Sequence, residues 1–177
     1  MMKKIYFLLL VGLTSVFSMN AQTAYQTFES AGFKVKSDCI FSKNTTFVRM
    51  AREQGMNNVL AAYICGENTE DPQTGVITNI NIYDESSNYK YLRPSEYSDF
   101  EAKYLKQYSS NLSAAGITYN YINYQGVSAI EYTFSQQGLP TKAIVFLKDK
   151  KSYLIQVGTR TNLDSKFNSL KSGFEIL

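Results

Sequence analysis

Two periods of hydrophobic residues organise this chain. From Val76 to Tyr83 the pattern alternates, with Val76, Thr78, Ile80 and Ile82 on one face and Ile77, Asn79, Asn81 and Tyr83 on the other, as a half-buried strand requires. Between Phe100 and Ala115 the period lengthens. Phe100, Tyr104, Leu105, Tyr108, Leu112 and Ala115 recur at three- and four-residue spacing, which predicts a long helix whose stripe packs on a core. Pro94 and Ser95 open that helix, with Ser95 as its cap, and Gly116 closes it. Glu96, Asp99 and Glu101 near its start and Lys103 and Lys106 further on agree with the helix dipole.

The remaining elements follow by the same reading. Phe33, Val35 and Cys39 to Phe41 predict a first strand, Thr45 to Asn58 one or two helical turns ending at Gly55, and Val59 to Ile64 a strand buried on both faces. Asn68 to Gly75 is a turn. Four strands are predicted at Ile117 to Tyr124, Val127 to Ser135, Thr141 to Lys148 and Ser152 to Arg160. Their links are short enough to force antiparallel neighbours. A last helix starts near Asn162 and buries Leu163, Phe167, Leu170 and Phe174. The order βββ-α-ββββ-α predicts an α+β fold, an antiparallel sheet of six or seven strands with helices packed on it.

The first residues read differently. Met1 to Lys4 are basic, Ile5 to Phe17 are mostly apolar, and Ser18 to Gln22 are polar and small, the layout of a secretion signal. The apolar run is too short and too interrupted for a membrane span, which takes about 20 apolar residues. The expectation is a signal at residues 1–21, cut after Ala21, and one domain at 22–177 that is secreted or periplasmic with no integral span. No Cys follows the apolar run to carry a lipid.

Composition narrows the chemistry. The chain has no His and no Trp, which excludes His-dependent triads, His-containing zinc sites and the commonest general base at neutral pH. Without Lys3 and Lys4 the basic residues number 16 against 15 acidic ones, a balance with no footprint for nucleic acid. No phosphate-binding loop or nucleophile elbow occurs, and Ser128 after Gly126 belongs to a strand; no cofactor is expected. Cys39 and Cys65 suit a disulfide in an oxidising compartment, one that would constrain the unfolded chain by roughly 3–4 kcal/mol. Two buried thiols are the alternative.

Gly32-Phe33-Lys34-Val35 at the first strand, Gly126 to Tyr132 in a hairpin, Lys150 to Ile155 entering the last strand and Phe167 to Phe174 in the closing helix carry a resemblance. The chain resembles the PsbP-like family of the extrinsic photosystem II subunit and many bacterial exported domains. That resemblance implies a non-catalytic domain that binds or stabilises partner proteins. The Pro and Trp often found after the first strand of such domains are replaced by Cys39 and Ile40.

Candidate binding residues are polar and aromatic. The chain holds 14 tyrosines, and Asn79, Asn81, Tyr83, Tyr119 and Tyr121 are expected to form a wet aromatic binding face on the sheet. Glu67, Glu70 and Asp71, and separately Asp84 and Glu85, match no calcium-loop spacing and are expected to be solvated turns. The expected function is an exported, non-catalytic binding or accessory domain that contacts a protein or cell-envelope partner through a sheet face or the Tyr89 to Pro94 loop. The alternative is a small-molecule or glycan binder, or further off a His-free carboxylate hydrolase.

Overall fold

The computed structural model describes residues 24–177; the expected secretion signal at 1–21 lies outside them. The chain runs β1 (Tyr25–Phe28), β2 (Phe33–Lys36), β3 (Ser42–Lys43), α1 (Thr45–Glu53), β4 (Val59–Glu67), β5 (Val76–Asp84), α2 (Ser86–Tyr89), α3 (Tyr97–Ala114), β6 (Tyr119–Tyr124), β7 (Val127–Gln136), β8 (Leu139–Lys148), β9 (Lys151–Thr159), α4 (Leu163–Gly173) and β10 (Phe174–Ile176). Seven strands form one antiparallel sheet in the order β3-β4-β5-β9-β8-β7-β6. This is the α+β arrangement that the periodicity predicts. A second sheet, β1-β2-β10, was not expected.

Alternation along each strand gives the large sheet two faces with different covers. Tyr63, Ile80, Phe146, Tyr153 and Ile155 point to one side, where α4 and the small sheet supply Phe167, Phe33, Val35 and Phe174. On the other side Ile130, Tyr132, Ala143, Val145 and Leu147 meet Leu105 and Leu112 of α3. The helical stripe read from the sequence is this contact.

Beyond shifts of two or three residues at the ends of β4, β6 and β8, the departures from expectation at the first strand and at the two long helices have local reasons. The first strand stops at Lys36 rather than continuing through Phe41, because Cys39 is drawn aside to Cys65 on β4 in a disulfide with Cα atoms 6.0 Å apart. The Gln26 carboxamide replaces the missing ladder: its Nε2 donates to the Cys39 carbonyl at 2.8 Å and its Oε1 accepts from the Phe41 N–H at 2.8 Å. Ser95 does not cap α3 but lies within a 3-10 turn at Pro94–Glu96, where Glu96 accepts from the Arg93 N–H and pairs with the Arg93 guanidinium at 2.9 Å. The last helix ends at Gly173, so Phe174 belongs to β10.

The meander owes its register to three two-residue hairpins. Gln125 and Gly126, Gln137 and Gly138, and Asp149 and Lys150 all hold positive φ at both central positions, the twist-matched geometry of such turns. Lys150, at φ 60°, is the one second-position residue with a side chain in a region that costs an L-residue about 1–2 kcal/mol. Lys150→Gly is expected to raise stability by about 0.5–1 kcal/mol, read as a higher denaturant midpoint at unchanged slope.

Charge fastens α4 to the sheet. Glu131 of β7 meets Lys142 of β8 at 3.1 Å and Lys171 of α4 at 2.7 Å, and Lys142 also reaches Asp164 at 2.7 Å. Partial burial pushes the Glu131 carboxyl up, but hydrogen bonds from Lys171 and Lys142 and their charges outweigh it, and its pKa is lowered. A carboxyl with a lowered folded pKa contributes stability above its unfolded pKa of about 4.3, and that contribution is lost as pH falls through the folded value. Glu131→Gln should therefore flatten the loss of stability below about pH 4. Urea titrations at a series of acidic pH values would show this.

Candidate binding face

The strand period places the five candidate residues on one side of the large sheet. Asn79, Asn81 and Tyr83 alternate with Thr78, Ile80 and Ile82 on β5, so they point away from the core beneath α4. The cross-strand register carries that face outward from Asn79 to Gln156, Ala143, Tyr132 and then Tyr119 on β6. The face is shared, but it is not one site. Helix α3 lies across it and splits the set in three.

Tyr119 and Tyr121 stand along the β6 flank of the helix. The Tyr121 hydroxyl is 2.9 Å from Ser109 Oγ, and the two tyrosine rings meet edge to face at 5.8 Å. Hydrogen bonds from Ser113 and Ser109 lower the Tyr119 pKa. Tyr83 lies beneath α3 beside Tyr104 and Tyr108. Burial, then the neighbouring Tyr108 and Tyr104 hydroxyls, push its pKa up to about 12.

Asn79 and Asn81 remain outside the helix, in a groove of about 470 Å³ on the uncovered part of the sheet. Asn44, Gln136, Gln137 and Gln156 join them there, six carboxamides over a floor of aliphatic side chains, and no ionisable residue lines it. Asn81 is only 7% exposed, and among the described residues nothing hydrogen-bonds its side chain. No buried side-chain polar atom lacks a partner among the described residues, so the amide of Asn81 is the part that reaches the groove. Asn44 Oδ1 is taken by the Phe47 N–H at 3.0 Å, and the other amides add donors and acceptors without a net charge, which suits a neutral polar surface.

The other expected sites fall elsewhere. In the Tyr89 to Pro94 loop, Tyr89 is buried against Tyr97 and Phe100, while Tyr91 is 86% exposed. Asp71 holds its own turn, accepting from the Gln73 N–H at 2.8 Å and the Thr74 hydroxyl at 2.6 Å, and Asp84 accepts from the Ser86 N–H at 2.9 Å. Glu67 lies close to the Cys39 and Cys65 sulfurs, but these are bonded to each other and present no thiolates. Glu85 departs from expectation: it is 3% exposed rather than solvated. Three neutral donors satisfy it, Asn88 from the helix that follows directly and Asn58 and Ser152 from distant segments.

The sequence reading passed over Gln156 and placed Glu85 in a solvated turn. Gln156 carried a signal, a polar residue between Ile155 and Val157 in a predicted strand. Glu85 carried none, since its burial depends on segments far apart in the chain.

No helix among the described residues is long and apolar enough to cross a membrane. Neither a protein-family model nor a curated protein sequence matches the chain. Among solved structures the chain is similar to the solution structure of cyanobacterial PsbP (CyanoP) from Synechocystis sp. PCC 6803. The match has 11% identity and a TM-score of 0.51, and it covers 93% of this chain and 99% of that one. At that identity the likeness speaks for architecture alone, and the chain has a PsbP-like fold.

Proposed function

We propose that this protein is an exported, non-catalytic binding or accessory domain, secreted or periplasmic, that engages a protein or cell-envelope partner through the uncovered part of its sheet. The observation that carries this reading is the amide groove, with Asn81 7% exposed and its side chain without a hydrogen-bond partner among the described residues. A polar side chain in that position is hydrated until something else supplies its hydrogen bonds. The disulfide supports export, because such bonds persist in oxidising compartments.

A neutral glycan is the second reading, favoured by the absence of ionisable groups from the groove lining. Both readings are tested by one titration series on ¹⁵N-labelled protein. Solubilised envelope components should shift the amides of Asn79, Asn81 and Gln156, and Asn81→Leu should abolish those shifts. A response to purified neutral oligosaccharides at the same residues would select the glycan. Shifts confined to other surfaces, or unchanged in the variant, would remove the groove from the function.

A further inference from the structure

A second cavity, of about 300 Å³, lies on the same side of the sheet but under α3, lined in part by Tyr83, Tyr104, Tyr108, Asn58 and Glu85. The carboxyl group is its unusual member. Glu85 Oε1 accepts from Ser152 Oγ at 3.0 Å and from Asn58 Nδ2 at 3.4 Å, and Oε2 accepts from Asn88 Nδ2 at 2.7 Å. The Tyr104 hydroxyl donates in turn to Ser152 Oγ at 3.2 Å, so the serine proton is directed at the carboxyl. Every polar contact to these oxygens comes from a donor, the pattern that an ionised carboxylate requires.

Among the described residues no cation pairs with it: the lysines and arginines form ion pairs with Glu175, Glu53, Glu96, Glu131, Asp164 and Glu67, and none with Glu85. A buried anion satisfied only by neutral donors keeps much of its desolvation cost, which a positive charge at the same place would offset. Three phenol rings line the cavity beside that anion, and ring quadrupoles attract cations.

We infer that this cavity is a binding site for an alkylammonium group, whose charge is taken by Glu85 and whose methylene or methyl groups lie among Tyr83, Tyr104 and Tyr108. A carboxylate with several tyrosines recognises a positively charged nitrogen and discriminates against a neutral alcohol of the same shape. The ammonium can come from a free amine or from a lysine side chain of a partner protein. The inference does not depend on the amide groove, which has its own residues and a neutral lining.

The test uses the oxidised domain and four probes: n-butylammonium chloride, 1-butanol as the neutral isostere, sodium chloride at matched ionic strength, and a blocked lysine peptide. Butylammonium is expected to give saturable shifts at the Glu85 and Tyr104 amides and to raise the melting temperature, with 1-butanol and sodium chloride inert. Glu85→Gln keeps the shape and removes the charge, and should weaken binding at least tenfold. Tighter binding of the peptide than of the free amine would assign the ammonium to a partner's lysine; the reverse order would assign it to a free amine. The inference fails if the unmodified protein shows no saturable response to either ammonium probe, if 1-butanol binds equally well, or if a folded Glu85→Gln protein binds unchanged. The comparison of amine with alcohol needs no variant and so decides the matter even if the substitution prevents folding.

Discussion

Phe174→Ala is expected to cost about 3–5 kcal/mol, the range for removing a wholly buried phenylalanine, out of a total stability of about 5–15 kcal/mol for a domain. The side chain is fully buried where the two sheets meet. Its ring stacks on Phe33 at 5.1 Å and meets Tyr153 at 6.0 Å and Phe146 at 6.2 Å edge to face. Truncation leaves a cavity bounded by strands that cannot close in, because β2 and β9 are held by their own ladders. The measurement is a urea titration, with Tyr91→Ala as the exposed control that should stay within about 0.5 kcal/mol of the parent. A loss below about 1 kcal/mol at Phe174 would mean that the small sheet contributes little to the fold.

Opening the Cys39–Cys65 disulfide is the second large effect. The bond spans 26 positions, and the chain-entropy relation for a loop of that size gives about 3.5 kcal/mol. For a domain of this length that corresponds to a fall in melting temperature of roughly 10 °C. Reducing agent and the Cys39→Ser, Cys65→Ser double variant should produce similar shifts. The loss is expected to be local in character, since Cys39 sits in the segment whose backbone otherwise depends on Gln26. A melting temperature indifferent to reductant would rule out any stabilisation by this bond.

The large sheet and its two long helices were legible because each is specified locally. In β5 the alternation of Ile80 and Ile82 with Asn79 and Asn81 declares a strand with two unlike faces, and positive-φ turns such as Gln125-Gly126 fix the neighbour. The small sheet was not legible. Tyr25 to Phe28 has no contrast of apolar and polar faces, β10 is three residues long, and the partner that unites them is chosen at a distance.

The candidate face shows the same division between local and distant causes. Period two places Asn79, Asn81 and Tyr83 on one face of β5 and Tyr119 and Tyr121 on one face of β6, and the ladder register makes these one side of the sheet. Where a covering helix crosses that side is a matter of packing angle and loop geometry, and α3 therefore separated residues that the pattern grouped. Glu85 is the clearest case: Asn88 is a local neighbour, but Asn58 and Ser152 come from segments that only the finished fold brings to it.

The pairing of Phe174 with Val35 also bears on when this domain can fold. Strand β2 lies between β1 and β10, so the small sheet lacks one of its outer strands until residues 174–176 are available. Contacts of such long sequence separation form slowly, because the entropy of closing the loop comes before any gain. Phe33 stacks on Phe28 and meets Tyr63 nearby in the chain, but the part of its cover that Phe174 supplies comes only after everything between has been made. The small sheet is therefore completed after the meander, whose hairpins close locally and early.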